Sequence, residues 1–220
     1  LAIADQIIRD PLRPYAFEVN LDGSAKGALR AFGNPPLQSY FLAGFTALFG
    51  HVEWIFHLFS FSFVLLLAFG LKALAGRFGV DPLASVLLTL GTPAVMVMSH
   101  TCMPDVAVLA LGVASVAAFI RGCDLKRIHW LVLAGLLAGA ACLAKYGGVI
   151  LFPIFLLYTL LHRRWIGLIS IGVLAAVLAV WHLWGIQVYG MSHLTATYGF
   201  AEKTFPASAA ACSTPRLATW

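Results

Sequence analysis

Charge is what this sequence has least of. Only 10% of its 220 residues are Asp, Glu, Lys or Arg, and the acids number nine, whereas about a quarter of an ordinary soluble domain is charged. With 61% of the residues hydrophobic, a chain of this length cannot hide its apolar surface in one core and still coat itself with polar groups. A soluble enzyme is excluded, and so is a disordered tail, which needs high charge and low hydrophobicity. Cysteine is also sparse. Cys102, Cys123, Cys142 and Cys212 show no CxxC spacing, which excludes a disulfide miniprotein and leaves inert membrane thiols as the reading. HExxH, GxSxG, P-loop and Rossmann patterns are missing, which removes the common soluble chemistries. No internal repeat with matching broken helices is visible, which weakens a transporter reading.

What remains is a series of apolar runs. Residues 54–71, 82–99 and 106–120 each read as a span, the third reaching spanning length from a start near Met103, with Asp81 and Pro82 as N-cap and first helical residue of the second. The run 130–161 is too long for one span and is broken only by Lys145-Tyr146-Gly147-Gly148, so it reads as a helical hairpin turning there. Residues 165–186 form the last span. The expected fold is all-α: a polytopic transmembrane helical bundle of about six spans. The stretch 37–50 is short for a span and is interrupted by Gln38, Ser39, Tyr40 and Thr46. It reads as an interfacial amphipathic helix. Residues 1–8 read as the continuation of a helix that begins upstream. The expected organisation is an extracytoplasmic loop segment with the interfacial helix (1–52), the bundle (53–186) and a poorly ordered extracytoplasmic tail (187–220).

The net charge of +5 comes from 14 Lys and Arg. These lie scattered between apolar runs, without a stripe or aromatic interleaving, so nucleic acid is not an expected partner. Their distribution is topological instead. Lys72 and Arg77, then Arg121, Lys126 and Arg127, then Arg163 and Arg164 fall in loops on one side by parity, whereas the turns on the other side hold only Lys145. The positive-inside rule assigns the rich side to the cytoplasm. The 100–105 turn, the Lys145 turn and both chain ends then face outward.

Few polar residues are left to carry chemistry. Asp105 follows His100-Thr-Cys-Met-Pro at the outer start of a helix. An acid there offsets the helix dipole and Pro104 suits a first turn, but ionisable groups at a membrane are also functional by default; the residues alone leave both readings open. Lys145 is either a snorkelling lysine or a cation facing an anionic headgroup, and it falls on the same side as Asp105. Asp5, Asp10, Glu18 and Asp22 read as solvated outer carboxylates. His57 and His182 lie within spans and read as helix–helix hydrogen-bonding groups. A carboxylate near a phosphate suits a divalent cation, but no ligand set is legible, so no metal residue is assigned.

Four short motifs follow one another along the chain: Asn34-Pro35-Pro36-Leu37-Gln38-Ser39-Tyr40, Leu48-Phe49-Gly50, Pro104-Asp105 and Leu143-Ala144-Lys145-Tyr146. In their order and spacing, over roughly residues 1–165, the chain resembles the integral-membrane glycosyltransferases of the protein O-mannosyltransferase-like group in the GT-C superfamily. The resemblance implies a polyprenyl-phosphate-linked sugar donor bound from membrane lipid. The sugar passes, with inversion, to an extracytoplasmic acceptor that is a protein, lipid or glycan. A carboxylate base assists the transfer, and a cation attends the phosphate leaving group. Asp105 becomes the candidate catalytic residue, and Asn34, Tyr40, His100, Lys145 and Tyr146 the candidate substrate-binding residues. The family places an acidic Asp-Glu motif and a first transmembrane helix ahead of the segment aligned with Leu1, and a Lys where Asn34 stands. The expectation is therefore a fragment, itself inactive in isolation, of an enzyme in a bacterial inner (plasma) membrane with its active face outside the cytoplasm. The competing readings are a secondary transporter or lipid flippase, and a catalytically incomplete homologue.

Overall fold

Local turn chemistry sets the helix boundaries. Asp81 caps its helix, its Oδ1 accepting from the Leu83 and Ala84 N–H groups at 2.8 and 3.1 Å, with Pro82 as first residue. The helix before it stops at Gly79, which takes the left-handed conformation (φ +68°) that a side chain disfavours. The computed structural model describes residues 1–20, 23 and 25–197. In chain order the elements are α1 (Ala2–Arg9), a hairpin of β1 (Glu18–Asn20) and β2 (Ala25–Gly27), α2 (Ala28–Ala31), α3 (Leu37–Phe49), α4 (Glu53–Phe78), α5 (Pro82–Leu90), α6 (Pro93–Ser99), α7 (Asp105–Leu125), α8 (Ile128–Ala144), α9 (Leu151–Leu161) and α10 (Leu168–Tyr189). Short 3-10 turns, Tyr146–Ile150 and Trp165–Gly167, precede the last two helices. The fold is an all-α bundle of membrane type.

The chain divides into two compact units. The first comprises Leu1–Pro14 and Asn34–Trp181, and α7 is its central element. Gly70 of α4 meets α7 so closely that an added Cβ would lie 3.2 Å from the Ala114 backbone nitrogen. On another side, a Cβ at Gly122 would lie 2.8 Å from Leu131 of α8. Helix α8 then packs on α10 through Gly135 and Gly139, which oppose Val173 and Val177. This use of glycine and alanine at helix contacts is how apolar helices pack where hydrophobic burial supplies little drive. Ser115 and Ser170 are fully buried and donate to the Ala134 and Leu131 carbonyls at 2.9 and 2.8 Å, which offsets the cost of taking their hydroxyls out of water.

All five apolar runs are helical, but among the described residues they do not supply the six full-length spans expected. Three helices are long and apolar enough to cross a membrane: Glu53–Phe78, Asp105–Leu125 and Trp165–Tyr189. The run 82–99 differs from the single straight span expected of it. It breaks into α5 and α6, bent by 68°, and makes a fourth span if counted as one. Gly91-Thr92-Pro93 explains the break, because Pro93 cannot donate to the ladder and clashes with the preceding turn. Helix α8 and the segment 146–161 are shorter apolar helices, divided at the Lys145 break. Helix α3 buries Gln38, Leu42, Ala43 and Thr46 on one face while exposing Phe41, Leu48 and Phe49 on the other.

The second unit comprises Tyr15–Gly33 and the chain from His182 onward. Its hairpin pairs Glu18 with Gly27 and Asn20 with Ala25, an element not expected from the sequence. Around it, Tyr15 stacks on His193 at 5.1 Å between ring centroids, and its N–H donates to the Tyr189 hydroxyl at 3.1 Å. Burial pushes the His193 imidazole pKa down to about 4, so the ring is neutral there. Asp22 and residues 198–220, including Cys212 and most of the tail expected to be poorly ordered, lie outside the described residues.

Candidate functional site

Asp105 is the first residue of α7, preceded by Pro104, and its carboxylate meets the positive end of that helix. Lys145 follows the last residue of α8 in extended backbone (φ −158°, ψ 136°), and its ammonium meets the negative end of that helix. Forty positions apart, the two side chains join. Lys145 Nζ donates to Asp105 Oδ1 at 2.7 Å, with each side chain 40% exposed. The pair is open to its surroundings on one side and anchored on two helix ends on the other.

The turn that carries Asp105 is held from two directions. The Gln38 amide, buried at the start of α3, donates to the Cys102 carbonyl at 2.8 Å. Ser60, buried within α4, donates to the Thr101 carbonyl at 3.3 Å. Sequence reasoning missed both. The signal for Gln38 lies inside the Asn34–Tyr40 stretch, whereas Ser60 alternates with phenylalanine just as Ser62 does in the Phe59–Phe63 run, so nothing in the sequence singled it out. Cys102 itself is exposed, with a thiol pKa raised by the partial burial around it.

The other expected residues fall into three places. His100 is exposed and lines a groove of about 670 Å³ with Trp54, His57, Phe61 and Ser99. Its ring lies 6.3 Å from that of His57. His57, expected to hydrogen-bond between helices, is exposed beside this second imidazole. Tyr146 adjoins Lys145, and its hydroxyl accepts from Trp181 Nε1 at 3.5 Å. Tyr40 donates to the Pro11 carbonyl at 2.5 Å and ties α3 to the segment after α1. Asn34 is exposed ahead of α3, with Pro35 and Pro36 buried behind it. Asp105 and Lys145 therefore meet directly, Tyr146 follows Lys145 in the chain, His100 is five positions before Asp105, and Tyr40 and Asn34 lie in and just ahead of the helix whose Gln38 holds that turn. Asp5, expected to be solvated, sits 3.5 Å from His51 Nε2.

Among the described residues, no group of three or more His, Cys, Asp or Glu side chains is placed to hold a metal ion. Chemically, the site offers a carboxylate able to accept a proton or hydrogen bond and an ammonium able to attend an anion, both at one end of the bundle.

A family model for dolichyl-phosphate-mannose-protein mannosyltransferase matches residues 33–213. No curated protein and no solved structure matches the chain.

Proposed function

We infer the reaction from the family: the chain belongs to the dolichyl-phosphate-mannose-protein mannosyltransferase family, membrane glycosyltransferases of the GT-C type, and we propose that it transfers a hexose from a polyprenyl-phosphate donor to an acceptor hydroxyl outside the cytoplasm. The acceptor oxygen attacks the anomeric carbon from the face opposite the phosphate. The bond from that carbon to the phosphate oxygen breaks, and the configuration inverts. The acceptor proton passes to the Asp105 carboxylate. The electron pair leaves with the polyprenyl phosphate, whose added charge the Lys145 ammonium offsets.

The observation that carries this reading is the Lys145–Asp105 pair at 2.7 Å. An exposed ion pair contributes only about 0–1 kcal/mol to stability, so exchanging it for a ligand costs little. Lys145 can turn to a phosphate and leave Asp105 to the acceptor. Both charges sit at helix ends, where a lipid headgroup reaches them, and not at mid-helix, where an ion pathway would need them. His100, Tyr146, Tyr40 and Asn34 line or support the surrounding surface in this reading.

The test is transfer by the full-length protein in liposomes, with labelled polyprenyl-phosphate mannose and a hydroxyl acceptor. The reading expects labelled, inverted product on the acceptor. Label crossing the bilayer without appearing on any acceptor would instead establish a transporter or flippase.

A further inference from the structure

Five basic residues, Arg77, Arg121, Lys126, Arg127 and Arg164, gather at the far end of α7 from Asp105. Helix α7 has 21 residues, so its two ends are about 30 Å apart. At its distal end a cavity of about 400 Å³ opens between α4 and α7, lined by Ala73, Arg77, Ala117, Arg121 and Asp124 among others. The two helices approach closely at Gly70 and Ala114, and the cavity lies one to two turns beyond. Small alanines form its floor and two guanidinium groups its rim.

The rim charges do not cancel. Arg77 Nε donates to Asp124 Oδ2 at 2.5 Å, with Arg77 half exposed. The remaining N–H donors of that fork are left for a ligand. Arg121 is oriented by its guanidinium carbon lying 4.5 Å from the Trp130 ring centroid, a cation–π contact that leaves the in-plane donors usable. Two arginines thus face the cavity against one carboxylate. Lys126 and Arg127 follow directly at the end of α7, and Arg164 donates to the Cys123 carbonyl at 3.5 Å.

We propose that this α4–α7 cavity binds one anionic phospholipid, its phosphate between Arg77 and Arg121 and its acyl chains along the apolar surfaces of the two helices. Both helices are long and apolar enough to cross a membrane, so the cavity opens beside lipid at headgroup depth. A phosphate paired by two planar guanidiniums meets the geometry that arginine favours. Basic pockets of this kind between membrane helices suit anionic headgroups. The occupant is a lipid and not a soluble phosphate, because the rest of the lining is Ala73, Leu74, Ala117, Ile120 and Leu125 and both helices are apolar enough to cross a membrane. Arg121 is 16 residues along α7 from Asp105, about 24 Å, so the site is separate from the Asp105–Lys145 pair and does not depend on the sugar-transfer reading.

The experiment is native mass spectrometry of the full-length protein, released from detergent with equal amounts of phosphatidylglycerol and phosphatidylcholine of the same chain length. Wild type is expected to retain one phosphatidylglycerol with about fivefold or greater preference. Arg121→Gln, which leaves the Arg77–Asp124 bond intact, is expected to reduce that preference toward parity. Ala117→Phe, which fills the floor and keeps every charge, is expected to do the same. Lys126→Gln with Arg127→Gln, outside the cavity, is expected to keep most of it. Helical content by circular dichroism should match wild type in each variant. Equal lipid retention in wild type and Arg121→Gln would overturn the proposal. So would loss in the Lys126/Arg127 variant as large as in Arg121→Gln, because that would mark diffuse surface charge. Displacement of the lipid by an equal concentration of glycerol 3-phosphate would also overturn it.

Discussion

Lys145 and Asp105 are joined at 2.7 Å although 40 residues separate them, because α7 begins at the end of the bundle where α8 stops. Each charge already answers the dipole of its own helix, so the pair is held in place by two rigid elements and not by a loop. Being partly exposed, it contributes about 1 kcal/mol or less to stability. Exchanging the two charges, Asp105→Lys with Lys145→Asp, sets both against their helix ends while keeping the pair. The melting temperature of the doubly exchanged protein should fall by only a few degrees, read by thermal unfolding in detergent, while sugar transfer is lost.

Gln38 is the buried support of the Asp105 turn. Gln38→Leu removes the donor at 2.8 Å from the Cys102 carbonyl and leaves that carbonyl short of a partner, at a cost of about 1–3 kcal/mol. Gln38→Glu keeps the length but replaces the N–H donor with an acceptor. Both should lower stability and transfer activity. Ser60→Ala, which removes a longer bond at 3.3 Å, should lower them less. Unfolding curves and initial rates on the same three variants check the order.

Cys102 reports the exposure of that turn. Its thiol is exposed, whereas Cys123 and Cys142 are buried. Partial burial raises its pKa above the ordinary value, so the reactive thiolate is scarce at neutral pH. In a protein whose single cysteine is Cys102, labelling by an impermeant maleimide should be slow at pH 7 and still accelerate above pH 9. With the Asp105 end outside the cytoplasm, reagent added outside should reach Cys102 and a Tyr146→Cys variant. Labelling only from the cytoplasmic side would reverse the proposed orientation.

His193 gives the second unit a sensitivity to acid. Its folded-state pKa is about 4, lowered by burial, against about 6.5 in the unfolded chain. Between those values the unfolded state binds the proton and the folded state does not, so stability falls as pH drops from 6.5 toward 4 and is fully present above 6.5. The loss is on the order of 3 kcal/mol over that window. Proteolysis near Tyr189 should accelerate below pH 6 in wild type. His193→Phe should flatten that dependence.

Much of this arrangement was legible in the residues, and the rest was hidden for physical reasons. The apolar runs announced the helices because a membrane-type helix needs a long uninterrupted apolar stretch. Lys145-Tyr146-Gly147-Gly148 announced the break after α8 because two glycines and a charge interrupt such a stretch. The bend between α5 and α6 was also written in Gly91 and Pro93, and an apolar average over 82–99 concealed it. The β1–β2 hairpin was not legible: its strands have three residues each, too few for an alternating pattern to stand out. Nor was the Gln38–Cys102 bond, since periodicity says which face a side chain takes and not which carbonyl it meets 64 residues away. Which loops share an end could be counted from the helices between them, and so Asp105 and Lys145 could be named together before any distance was known.

The most direct test of the account is the rate of mannose transfer from polyprenyl-phosphate mannose by the full-length protein carrying Asp105→Asn or Lys145→Gln. Each variant removes one charge, Asp105→Asn at unchanged side-chain size and Lys145→Gln with a shorter polar side chain. The account predicts that each loses transfer by about 10²-fold or more while still folding, with Lys145→Gln also weakening apparent affinity for the phosphate donor. Wild-type rates in both variants would contradict it.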